Sequence, residues 1–151
     1  MRLRPLRLEL RDLSLALYAF SLMLPAINNR DEVWERESIT YGYDILLFGF
    51  LALFDGSAAW LANVFFVIAF FSQESARRSL LYSLCAILLG LSSFMYTSIW
   101  NDGAGRITVT GYSYGFYVWM SAFVWLTFLT GRKCIKDSRV PDSTLPPAAS
   151  A

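Results

Sequence analysis

Asp55 is the one formal charge between Ile45 and Phe71, a run of twenty-seven residues. A carboxylate inside so apolar a segment must be neutral, paired or hydrated, which makes it a candidate proton or cation site. Asn63 lies two helical turns further along, and Ser93 and Thr97 of a later apolar run supply hydroxyl neighbours. Asp55, Asn63, Ser93 and Thr97 therefore form a candidate intramembrane polar site. The opposing reading is a protonated or hydrogen-bonded acid that fixes helix register, or one brought to the outer surface by a break at Asp55-Gly56, because no basic residue stands within the apolar runs.

A second group of carboxylates lies between Asn28 and Asp44, where Asp31, Glu32, Glu35, Glu37 and Asp44 outnumber Arg30 and Arg36. Asp31 and Glu35 are four apart, so a short helix would cluster them for a hard divalent cation. The tight glycine turn and regular oxygen spacing of such a site are missing, and the segment reads as a solvated acidic loop. The chain has no histidine, the commonest general base and transition-metal ligand. Cys85 sits in an apolar run and Cys134 in a polar tail, a placement that suits neither a metal nor a disulfide. No catalytic set, metal site or cofactor is expected, and no basic patch suggests nucleic acid. Enzyme is the weaker class, since loop carboxylates such as Asp44 have no visible means of shifting their pKa values.

The elements that position these residues follow from hydropathy. The 151 residues are 56% apolar and 17% aromatic, the profile of a one-domain membrane protein. Apolar runs at 13–27, 45–71, 80–100 and 111–130 predict an all-α, polytopic membrane protein, a four-transmembrane-helix bundle over residues 1–130. Residues 131–151 hold three of the five prolines and read as a disordered cytoplasmic tail. As one helix the second run would reach about 40 Å against a hydrocarbon core of ~30 Å, so it must tilt, kink near Asp55-Gly56 or enter the headgroups. The first run is short and ends near Pro25; a basic segment precedes it, as in a signal peptide, but no small-x-small cleavage site follows. Ile107 to Thr110 alternates apolar and hydroxyl residues, which suits a short interfacial strand.

Orientation comes from Lys and Arg alone. Arg2, Arg4, Arg7, Arg11, Arg77, Arg78, Arg132, Lys133, Lys136 and Arg139 fall on one side of this topology, against Arg30, Arg36 and Arg106 on the other. By the positive-inside rule both termini are cytoplasmic.

Small residues mark the faces that should meet. Ala52, Asp55, Ala58, Ala59, Ala62 and Asn63 share one side of a continuous helix, and Ser83, Ala86, Gly90, Ser93 and Thr97 make a stripe in the third run. Gly111 and Gly115 form a G-x-x-x-G that Ala122 continues. Ala59, Ala62, Gly90, Gly111 and Gly115 are the expected helix-packing positions.

Gly42-Tyr43, Gly49, Ala59-Trp60-Leu61-Ala62-Asn63, Gly111-Tyr112 and Trp119 together give a pattern that resembles small uncharacterised bacterial inner-membrane proteins of four helices. Proline usually follows the tryptophan-containing motif in those proteins; Val64 stands there in this chain. The resemblance covers Tyr41 to Ala122 and implies a bacterial cytoplasmic membrane without implying an activity. The expected function is a non-enzymatic accessory or interaction component of that membrane, its partners the lipid bilayer and either further copies of itself or a larger complex. The alternative is a small proton- or cation-coupled transporter that works as an oligomer with Asp55 as the titrating group.

Overall fold

Leu13 to Ile27 does not form one helix. In the computed structural model, which describes residues 10–31, 36–54, 56–72, 75–95, 98–101 and 105–138, helix α1 covers Asp12–Leu22. The chain leaves the helix before Pro25, whose ring fixes φ and whose nitrogen has no proton for a helical ladder. Pro25–Asp31 instead forms strand β1, which pairs antiparallel with β2, Glu37–Tyr41; Pro25 stands across from Tyr41 and Arg30 from Glu37.

The long central run is broken as well. Helix α2, Gly42–Phe48, begins where β2 ends, with the Tyr41 backbone N–H donating to Asp44 Oδ2 at 3.4 Å. A 3-10 helix at Gly49–Leu53 follows, and the chain then turns through Gly56 at φ +83°, a conformation open to glycine because it has no Cβ. Helix α3 occupies only Leu61–Phe71. Helix α4, Ala76–Leu91, runs on into a 3-10 helix at Ser92–Met95. Strands β3, Ser98–Asn101, and β4, Gly105–Tyr112, precede the last helix, α5, Tyr114–Ser138.

The two pairs of strands join into one antiparallel sheet in the order β2-β1-β4-β3. Its centre is the β1–β4 pairing, Ile27 with Tyr112 and Asp31 with Ile107, between segments far apart in the chain. Helix α5 packs between α1 and α4, and α3 packs on α4. Tyr18 of α1 reaches α3, its ring 4.8 Å from that of Phe66. Around these rings the core is Phe70, Phe123 and Leu126, with Ala62, Ala69, Ala86 and Ala122 where the helices come closest.

The expected all-α bundle of four membrane-spanning helices is therefore corrected on two counts. A four-stranded sheet takes the ends of three of the apolar runs. Among the described residues only one helix, Ala76–Met95, is long and apolar enough to cross a membrane. With 11 residues each, α1 and α3 reach about 16 Å, half of a ~30 Å hydrocarbon core. At 25 residues α5 has the length, but Tyr114, Tyr117, Trp119 and Trp125 keep it less apolar. Hydropathy summed over a window does not register a proline, a positive-φ glycine or a strand register, and those features set the breaks. The strand expected over Ile107 to Thr110 lies inside β4. Helix α5 continues through Gly131 to Ser138, into the segment read as a disordered tail; residues 139–151 lie outside those described.

Candidate functional site: a cavity between the sheet and the helix ends

Asn63 is the best-connected polar side chain of the interior. It sits in the first turn of α3, 6% exposed, because the turn through Gly56 delivers the chain to the helix start beneath the sheet. Its Oδ1 accepts from the Tyr18 hydroxyl at 3.0 Å and from Trp119 Nε1 at 2.9 Å. Its Nδ2 donates to the Trp60 carbonyl at 3.1 Å. One amide thus ties α1, α3 and α5 together, and a buried acceptor shared by two donors leaves neither of them orphaned.

Trp60 organises the next layer. Its indole N–H donates to the Leu46 carbonyl of α2 at 2.9 Å, and its ring lies over Gly49, where a Cβ would come within 3.0 Å of Trp60 Cδ1. This holds the broken segment between α2 and α3 against the rest of the fold. Gly42 and Gly115 are close approaches to the turn after α1: a Cβ on Gly42 would meet the Ser21 carbonyl oxygen at 2.5 Å, and one on Gly115 the Pro25 oxygen at 2.7 Å.

Between these residues and the inner side of the sheet is a partly open cavity of about 480 Å³. Asn29 and Thr40 come from β1 and β2, Val109 and Tyr112 from β4, and Ile45 and Phe48 from α2. Ala52, Ser57, Ala59 and Trp60 bring in the broken segment, and Phe116 and Trp119 bring in α5. Asn29 is 5% exposed; its Nδ2 donates to Thr40 Oγ1 at 2.6 Å, and its Oδ1 has no partner among the described residues. The Tyr112 hydroxyl donates to the Ser93 carbonyl, fastening β4 to the 3-10 helix that follows α4, and burial raises the Tyr112 pKa above its ordinary value.

The expected site residues divide clearly. Asn63, Ser93 and Ala59 all line the cavity, and Ala62 is fully buried beside it. Asp55 and Thr97 lie outside the described residues. Gly90 is a helix contact, with a Cβ there coming within 2.7 Å of Met120 Sδ on α5. Gly111 is a strand residue with nothing within 4 Å of a Cβ, so Gly111 and Gly115 do not form a helical G-x-x-x-G. Of the other buried hydroxyls, Ser57 lines the cavity, while Ser14, Ser21, Ser79, Ser83 and Thr130 each donate to a backbone carbonyl. Their protons are held by the backbone rather than passed from one side chain to the next.

Sequence reasoning missed Tyr18, Asn29 and Thr40. Tyr18 looked like one more aromatic in an apolar run, and the other two lay in what read as an ordinary acidic loop. The signal that was present is Pro25, which ends α1 and makes a strand over the following residues the natural continuation.

Fold and site together define a helical core under a sheet built from two separated loops, with a mainly apolar cavity at the junction. No protein-family model, curated protein or solved structure matches the chain.

Proposed function

We propose that this chain is a non-enzymatic component of the bacterial inner membrane that works by holding a partner, either further copies of itself or a larger envelope complex. It meets lipid through the outer faces of its helices, of which Ala76–Met95 is, among the described residues, the one long and apolar enough to cross; the sheet lies on the outer side and the helix ends away from it on the cytoplasmic side. The observation that carries this is which residues are inside and which are outside. Ala62, Ala69, Ala86 and Ala122 are fully buried and Ser14, Ser79 and Ser83 nearly so, while Phe20 is 55% exposed, Leu81 62%, Leu88 67% and Phe128 52%. In water the large apolar groups would be drawn inside and exposed apolar patches kept small. In lipid, which gives bulky side chains no reason to leave it, close packing of small residues and hydrogen bonds draws helices together.

Charge supports the orientation. Arg11 precedes α1, Arg77 and Arg78 open α4, and Arg132 and Lys133 lie toward the end of α5, all at helix ends away from the sheet. The Arg11 guanidinium packs over Phe70 at 4.6 Å and that of Arg132 over Phe128 at 5.6 Å, an arrangement suited to a headgroup boundary.

The test is fractionation and labelling. The full chain should stay in the membrane pellet after an alkaline carbonate wash. In a Cys85→Ala, Cys134→Ala background, Ser38→Cys in exposed β2 should react with an impermeant maleimide on intact spheroplasts. With Ser38 and Cys134 native, Cys134 should react only after permeabilisation. Release by carbonate overturns membrane embedding, and the reverse labelling pattern overturns the orientation. Mild detergent extraction, sizing and mass spectrometry then separate a homo-oligomer from a complex with a foreign subunit; a monodisperse monomer with nothing bound overturns the interaction role.

A further inference from the structure

Asp44 is the only charged side chain among the described residues that line the cavity. Among the described residues its carboxylate accepts a single long hydrogen bond, from the Tyr41 N–H at 3.4 Å, which leaves most of its acceptor capacity open. Asn29 in the same cavity's lining has an Oδ1 without a partner among the described residues, and Thr40, to which its Nδ2 donates, is four residues before Asp44. The rest of the lining is largely carbon, including Ile45, Phe48, Val109 and Phe116. An apolar space of this kind does not hold water well, because each water needs two to four polar partners. Its volume of about 480 Å³ falls in the range of small-molecule sites and equals about sixteen water-sized groups, room for an eight-carbon chain or an aryl-alkyl group.

We propose that the cavity binds a small cationic amphiphile, a primary amine on an apolar body, with the ammonium at Asp44 and the body against the α2 and α5 walls. The charge pattern selects this class. A fatty acid or phosphate head would put a second negative charge beside Asp44 with no described lining cation to offset it. An ammonium supplies donors to the Asp44 carboxylate, whose acceptor capacity is largely open. Binding here does not depend on which partner the protein holds, because the cavity is walled within a single chain.

The test uses the full chain in nanodiscs of zwitterionic lipid at neutral pH, with octylamine, octanol and octanoate as probes sharing one tail. Saturable change in tryptophan fluorescence reports occupancy, since Trp60 and Trp119 line the cavity, and empty nanodiscs give the partitioning background. Octylamine should bind at least tenfold more tightly than octanoate, with octanol between them. Asp44→Asn should abolish the amine's advantage over octanol and leave octanol binding unchanged. Ala52→Phe, which fills the cavity from the 3-10 helix, should abolish saturable binding of all three; Ala59→Leu makes the same test from the other side should the first variant melt early. Octanoate binding as tightly as octylamine, an amine preference that survives Asp44→Asn, saturable binding undiminished in both filled variants, or no saturable binding by any probe would each overturn the proposal.

Discussion

Replacing Asn63 by alanine tests whether one buried amide holds three helices in place. The substitution removes the acceptor for the Tyr18 hydroxyl and for Trp119 Nε1. The Trp60 carbonyl keeps a donor, because the Asn63 backbone N–H also reaches it at 3.1 Å. The loss is therefore two orphaned donors rather than three broken bonds. Tyr18 is 8% exposed, so stranding its hydroxyl should cost about 1 to 3 kcal/mol, and the half-buried Trp119 indole about 1 kcal/mol more. A total of about 2 to 4 kcal/mol corresponds to a fall in Tm of roughly 4 to 16 °C for a chain of this size. The assay is thermal unfolding in one detergent, followed by tryptophan emission and by elution position. Tyr18→Phe alone removes a donor without stranding one and should cost about 1 kcal/mol. The double variant should then be less destabilised than the sum of the single ones, because alanine at 63 no longer orphans a hydroxyl. A Tm within about 2 °C of the parent for Asn63→Ala, a shift below 1 kcal/mol, or strict additivity with Tyr18→Phe, would refute the hub.

Three further outcomes follow from the same contacts. Gly115→Ala drives a Cβ to within 2.7 Å of the Pro25 oxygen and should cost about 1 to 3 kcal/mol in thermal unfolding, whereas Gly111→Ala meets nothing within 4 Å and should change stability by about 0.5 kcal/mol or less; equal effects would refute the close approach of Gly115 to Pro25. Trp60→Phe loses the bond to the Leu46 carbonyl, so amide exchange over residues 56–60 should quicken while the ends of α4 stay protected, at a global cost of about 1 kcal/mol. Tyr112→Phe loses the bond to Ser93 at a cost of about 1 kcal/mol. Because the folded state raises the Tyr112 pKa, its contribution is fully present below the ordinary tyrosine value near 10 and is lost as pH rises through the raised value, so the parent should lose stability on that alkaline side more steeply than Tyr112→Phe.

What the sequence showed of this fold is local. Ala62, Asn63, Ser83, Ala86, Gly90 and Ala122 are small or polar in otherwise bulky runs, and all six are buried at or near helix contacts. Such positions can be read because a helix repeats its faces every turn. The breaks were harder to read because each rests on one residue: Pro25 ends a helix, and Gly56 permits a turn the neighbours could not make. Hardest was the sheet. Asn29 carries little strand propensity, and its pairing with Val109, eighty residues away, is one that no local pattern encodes; Thr40 pairs nearer by, across from Ile27 of β1. The cavity inherits that difficulty, since its walls come from segments that meet only after the sheet has closed.

The β1–β4 pairing also sets a timetable for synthesis. Asp31 and Ile107, its nearest paired residues along the chain, are seventy-six residues apart. At ribosomal rates β1 waits roughly 4 to 15 s for β4 after it is made. During that interval β1 has β2 on one side and an unpaired edge on the other, the kind of edge that recruits foreign strands. A chain halted before Gly105 would carry that open edge for as long as it survived. Arrival of β4 works as a clasp, fastening the first loop to the second and closing the edge in one step.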